Sequence, residues 1–180
     1  MTDPRTLRSK QRIRTAFLEL AELRGIEDIT VRDVADRSRV GYTTFYRHFE
    51  TKQDLIAEII DQELAALSET TFPLFLHGPP YEVSLAAARH ILSRRKLWTE
   101  MTSTFAAPIL RERFVLQMLA LSEGRDMGSG FLPRSVTASL CATLLVELLT
   151  WWLRAEKRNS PDDLAEAIDR IVVKPALQCW

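Results

Sequence analysis

Between Thr30 and Lys52 the chain reads TVRDVADRSRVGYTTFYRHFETK, and this stretch restricts the fold more than any other. Its pattern is a short helix, a tight turn, a second short helix and the capped start of a third. The first helix is Thr30 to Arg37, with Val31, Val34 and Ala35 on one face. Ser38-Arg39-Val40-Gly41 makes the turn, and the second helix runs from about Tyr42 to His48. Thr30 with Asp33, and Thr51 with Asp54, form T-x-x-D capping boxes, in which a side-chain oxygen satisfies an orphan N–H of the first turn. Gly41 suits the entry to the second helix because glycine tolerates either sign of φ. Helices this short bury too little to stand alone and must lean on flanking helices. A short helix, a tight turn and a second helix with an exposed polar face predict a helix-turn-helix whose second helix enters a major groove.

That second helix mixes aromatics, hydroxyls and basic groups. Phe45 and Phe49 stand i, i+4 and face inward, leaving Tyr42, Thr43, Tyr46 and Arg47 outward. Hydroxyls can bond phosphates or base edges, and a threonine methyl can touch thymine. Lys52 falls in the first turn of the next helix, where its charge and the backbone N–H groups both favour a phosphate.

The segment Ile13–Leu64 resembles the DNA-binding domain of the TetR-type family of bacterial transcriptional regulators. The resemblance is carried by Ala16–Ala21, Arg24-Gly25-Ile26, Thr30–Ala35, Val40-Gly41, Thr44–Phe49 and Thr51–Leu55. It covers about the first third of the chain and implies that Thr30, Tyr46, His48 and Lys52 meet phosphates. Arg32, Tyr42, Thr43 and Thr44 then meet bases or nearby sugar-phosphate. Two positions depart from the family pattern: Arg39 stands where the turn usually has Gly, and Gly41 where a Ser usually caps the helix. Arg39 must then adopt a left-handed conformation, at about 1 kcal/mol, or the turn must differ.

A chain of 180 residues has room for such a domain and one larger helical domain, and 46% hydrophobic with 27% charged residues fits a soluble globular protein. Net charge is zero, but residues 1–55 hold 11 Lys+Arg against 9 Asp+Glu, so positive potential is local. Five of those cations lie in the first fourteen residues. The resemblance implies that an arm over Thr2–Arg8, or the start of the first helix, touches DNA through Arg5, Arg8 and Lys10; composition alone reads equally as a solvated tail. The N-terminus is polar and basic, unlike a signal peptide, which predicts a cytoplasmic protein.

Along the chain, a first helix from Thr6 or Ser9 to Leu23 carries the stripe Ile13, Ala16, Phe17, Leu20 and Ala21, with Gly25 as its C-cap. A fourth helix spans Lys52 to Glu69 and is long enough to act as a lever between domains. Prolines and Gly78 break the chain over Thr70–Pro80. Helices follow over Tyr81–Leu97, Trp98–Phe105 and from Ala107-Pro108 to Glu123-Gly124, then a loop over Asp126–Pro133. Arg94-Arg95-Lys96 oppose a helix C-terminus or extend the basic surface. Val136–Leu153 holds a single charge, Glu147; it reads as a helix buried on two sides, with a membrane span as the rival. Ser160-Pro161-Asp162-Asp163 caps a last helix with the stripe Leu164, Ala167, Ile168, Ile171 and Val172. The two final helices resemble the pair through which many TetR-type regulators form a four-helix bundle with a second subunit.

No catalytic or phosphate-loop motif is visible, the three histidines lack metal spacing, and Cys141 and Cys179 form no zinc or disulfide pattern. The expectation is no enzyme, no metal and no cofactor. The fold class expected is all-α: a homeodomain-like three-helix helix-turn-helix domain over 1–55, recognition helix about 42–48, and a helical effector-binding and dimerisation domain over 56–180. The resemblance implies a homodimer through about 135–178 on double-stranded palindromic operator DNA, released by a small effector. Candidates for an effector wall are Phe75, His90, Trp98, Met101, Phe105, Phe114, Met118 and Trp151, which point to an apolar or aromatic ligand. The competing reading is a ligand-binding or protein-interaction module whose DNA binding is altered or lost.

Overall fold

A computed structural model describes residues 4–77, 79–122, 132–155 and 160–175, with side chains for all of these but 72, 73, 75–77, 121 and 122. Every regular element among them is helical: α1 (Pro4–Ala21), α2 (Val31–Ser38), α3 (Tyr42–His48), α4 (Lys52–His77), α5 (Pro80–Ser93), α6 (Arg95–Met101), α7 (Ala107–Ser122), α8 (Arg134–Arg154) and α9 (Pro161–Ile168). A 3-10 turn covers Ile26–Asp28, and α9 runs on into a π turn over Asp169–Val173. The all-α class expected from the sequence is found. The chain divides into two compact units, Met1–Ile59 and Ile60–Trp180.

The N-terminal unit is α1, α2, α3 and the start of α4, with α1 packed on both α2 and α3. Ile13, Phe17, Ile26, Ile29, Val34, Phe45, Phe49, Leu55 and Ile56 make its core. The i, i+3/i+4 spacing of Ile13, Ala16 and Phe17 turns one face of α1 inward. Helix α1 starts earlier than its apolar stripe implies, at Pro4, so Pro4–Arg8 are helical and exposed rather than an extended arm. Proline fits there because a first turn needs no N–H. Gly25 has φ −60 and ψ 145 and is the N-cap of the 3-10 turn, not a left-handed C-cap of α1.

The C-terminal unit pairs α5 with α9 and α7 with α8, and α6 packs on α8. Its core includes Trp98, Met101, Leu110, Ala138, Ala142, Leu149, Trp152 and Leu164. Helix α4 continues through Pro73 to His77, where a break was expected at Thr70. One missing hydrogen bond does not end a helix when strong helix formers such as Leu74 and Leu76 flank it. The expected helix over Tyr81–Leu97 divides at Arg94, φ −125 and ψ 35, and Trp98 belongs to α6. In α9 the π turn inserts an extra residue per turn. The stripe then slips: Leu164, Ala165, Ile168 and Val172 are buried, while Ile171 turns outward. Asp169 is buried there and pairs with Lys174 Nζ at 2.7 Å. Cys179 and residues 126–131 of the expected loop lie outside the described residues.

Candidate nucleic-acid interface

The path into α3 is set by backbone chemistry. Thr30 caps α2 with a complete box: Asp33 N–H donates to Thr30 Oγ1 at 3.2 Å, and Thr30 N–H to Asp33 Oδ2 at 2.8 Å. The Thr30 hydroxyl also donates to Asp33 Oδ2 at 2.6 Å. These bonds, together with Arg24 Nη2 at 2.8 Å, hold the Asp33 carboxyl down at about 2. Helix α2 ends at Arg39, φ 53 and ψ 36, so the left-handed turn required of a non-glycine there is present. The Arg12 guanidinium donates to the carbonyls of Ser38 and Arg39 and closes that helix end. Gly41 N-caps α3 with φ −59 and ψ 145. Any residue can adopt those angles, so the glycine's freedom is not used.

On α3, Phe45 and Phe49 are buried, their ring centroids 5.7 Å apart, and fix the inner face. Tyr42 and Tyr46 are 53% and 42% exposed, and Thr43 and Arg47 stand outward with them. The two tyrosine rings meet edge to face at 5.0 Å, and Tyr46 Oη donates to Tyr42 Oη at 3.3 Å. Half-buried Thr44 accepts from Arg47 Nη2 at 3.1 Å. Arg32 projects from α2, its side chain 86% exposed, with only a 4.0 Å ion pair to Asp36. Thus Tyr42, Thr43, Tyr46 and Arg47 share one exposed face of a rigidly backed helix.

Besides Thr30, bonded to Asp33, two more of the expected phosphate contacts have internal partners. Lys52 Nζ donates to the carbonyls of Ile26, Glu27 and Ile29 at 3.1, 3.0 and 2.9 Å. Burial lowers its pKa below the usual lysine value, and the ammonium ties the α1–α2 link to the start of α4. His48 is half-buried, its Nε2 lying 2.7 Å from Ser9 Oγ. Burial, then Lys10 and Arg47, push the imidazole below its ordinary pKa. Sequence reasoning missed these partners. Backbone carbonyls carry no residue-type signal, and Ser9 is 39 positions from His48.

In the C-terminal unit, Trp98, Met101 and Phe114 are buried, the Trp98 and Phe114 rings 6.5 Å apart. His90, Phe105 and Met118 are half-buried. Trp151 does not join them: it is 59% exposed, while its neighbour Trp152 is buried. One residue rotates about 100° around a helix, and Trp151 shares its face with Leu140 and Leu144, both exposed. The side chain of Phe75 lies outside the described residues. A residue not singled out in the sequence is Glu63, on the same stripe of α4 as Ile60 and Leu64. It is 5% exposed and ion-paired to Arg94. Its Oε2 and the His90 Nε2 are buried with no hydrogen-bond partner among the described residues. Burial raises the Glu63 pKa against the pull of Arg94, and burial lowers that of His90. Among the described residues no cluster of three potential metal ligands occurs.

Residues 13–59 match the family model for bacterial regulatory proteins of the tetR family. Over 174 residues the chain is 26% identical to the uncharacterized HTH-type transcriptional regulator YxbF of Bacillus subtilis (strain 168), covering 91% of this chain and 44% of that one. The chain thus spans under half the length of that relative. It is 28% identical over 172 residues to the HTH-type transcriptional regulator TcmR of Streptomyces glaucescens, covering 83% of this chain and 75% of that one. The fold is similar to that of FadR from Thermus thermophilus, a TetR-family transcriptional repressor in complex with lauroyl-CoA. The TM-score is 0.65 with 19% identity, over 93% of each chain.

Proposed function

We propose that this chain, which belongs to the TetR family of bacterial transcriptional regulators, is a homodimeric repressor that reads a palindromic operator through α3 and leaves it on binding a small effector. The observation that carries the reading is the outer face of α3. Tyr42, Thr43, Tyr46 and Arg47 are exposed side by side on a seven-residue helix whose other face is locked by Phe45. Such a face supplies hydroxyl, aromatic and cationic groups to base edges and phosphates together. Arg32 and Thr44 extend it, and Arg5 and Arg8 on the exposed start of α1 offer further cations. Thr30, His48 and Lys52 are assigned to holding this face in place as well as lying along it, because their polar atoms already have partners.

A second copy is supported by α8. Val136, Leu140, Leu144 and Trp151 form an exposed apolar stripe at helical spacing, and Ile171 is exposed on the π turn that packs against α8. Contiguous exposed apolar surface marks an association site. A C2 dimer through this face presents two α3 helices, as a two-fold symmetric operator requires. Helix α8 is also long and apolar enough to cross a membrane by composition. Its opposite face, however, packs on α6, α7 and α9. For the effector, the buried Trp98, Met101 and Phe114 of this unit, with Glu63 Oε2 and His90 Nε2 buried and without a hydrogen-bond partner among the described residues, suit a hydrophobic or aromatic compound bearing one hydrogen-bonding group. FadR, the repressor of similar fold, binds an acyl-CoA, which also pairs a long apolar body with polar groups.

The experiment is a gel shift of the full chain with the DNA upstream of its own gene, over a range of salt. Shifted bands at nanomolar protein, weakening steeply as salt rises, support the reading. Equal, weak retardation of every duplex favours the competing view of a ligand-binding or protein-interaction module.

A further inference from the structure

We propose that Arg39 is a DNA-backbone ligand whose guanidinium, carried on a left-handed turn residue, meets a phosphate beside the groove entered by α3. The inference rests on the reading that α3 enters DNA and adds a contact to it. Arg39 is the one non-glycine residue with positive φ among the described residues. Its values, φ 53 and ψ 36, are those glycine adopts without penalty and a residue with a Cβ adopts against steric resistance. Strain of this kind is held in place by the surrounding structure and clusters at functional sites. The ordinary structural purpose, a cation facing a helix C-terminus, is already served, because Arg12 donates to the Ser38 and Arg39 carbonyls at that end. The other arginines of α2 and α3 have partners: Arg32 with Asp36, Arg37 with Glu19 and Arg47 with Thr44. Arg39 is exposed, and its guanidinium has none among the described residues. It stands three residues before Tyr42, so its Cα is within about 10 Å of the first reading residue. A long side chain there spans the distance from the recognition helix to the phosphates lining the groove.

The test compares wild type, Arg39→Gly and Arg39→Lys, measuring melting temperature and affinity for the upstream duplex from 0.05 to 0.3 M salt. Arg39→Gly is expected to melt about 1–3 °C higher, because glycine relieves the backbone. It should bind about fivefold more weakly at 0.15 M salt, with the slope of log K against log salt shallower by about 0.9, the signature of one lost phosphate. Arg39→Lys should keep the wild-type slope. An Arg39→Gly protein with wild-type affinity and slope would overturn the proposal, whatever its melting temperature. If wild type itself shows no preference for the upstream duplex, it is the reading of α3, not of Arg39, that fails.

Discussion

At the scale of single residues, the N-terminal unit depends on a few side chains bonded to backbone. Lys52 is one: three carbonyl acceptors within 3.1 Å fix the link between α1 and α2. Lys52→Ala removes these charge-assisted bonds to the Ile26, Glu27 and Ile29 carbonyls, so it should destabilise the unit by about 1–3 kcal/mol. It should weaken DNA binding with the salt slope unchanged, and a slope shallower by about 0.9 would instead show that the ammonium leaves its carbonyls for a phosphate. Asp33 is another. Its carboxyl is held at about 2 against 3.8, first by the Thr30 hydroxyl, then by the Thr30 N–H and by Arg24. A depressed folded pKa means that the native state binds fewer protons than the unfolded chain. The stability conferred is therefore complete above the unfolded value and fades as pH falls through about 4 towards 2. Thr30→Val should bring the Asp33 pKa, followed by carboxyl NMR, back towards 3.8; a value still near 2 would place the cause elsewhere.

Among the elements, the reading surface proposed on α3 depends on an inner face fixed by Phe45 and Phe49. Replacing Tyr42 with Ala leaves Phe45 and Phe49 in the core and should alter preference among operator variants by about 1–3 kcal/mol at one base position. Melting should change little; uniform loss over all variants would make Tyr42 a backbone contact. Much of this was legible in the sequence. The i, i+4 phenylalanines, both threonine–aspartate boxes and the Ser160–Asp163 box are local signals, and each forms as its spacing implies. What escaped is of two kinds. Pro73 misled because it stands close before Gly78, Pro79 and Pro80 and so places the break too early; α4 passes through it and ends at His77. Arg12, Ser9 and Glu63 escaped because their partners lie 26, 39 and 31 residues away, and only the packed chain brings them together. Glu63 had one sequence signal, an acid set in the apolar stripe between Ile60 and Leu64. The division of α8 into an inner and an outer apolar face could not be read from its composition, because leucines and tryptophans occupy both.

For the whole molecule, the proposed pairing of two copies rests on the exposed apolar face of α8. Leu140 is 52% exposed and Leu144 stands one turn beyond it. Leu140→Arg with Leu144→Arg should give a helical monomer by sedimentation at micromolar concentration, since a buried unpaired charge opposes association. A dimer persisting in that variant would move the interface elsewhere. Such a monomer keeps α3 intact yet loses the second half-site, so its operator affinity should fall towards the non-specific level. Whether two copies of this chain recognise one DNA sequence is decided by titrating labelled upstream duplex and a scrambled duplex of equal length at about 0.15 M salt, with the mass of each complex followed by sedimentation. The account predicts binding at least about 10³-fold tighter to the upstream duplex, with two chains on each palindromic site. Equal affinity for the two duplexes, or a specific complex holding a single chain, would contradict it.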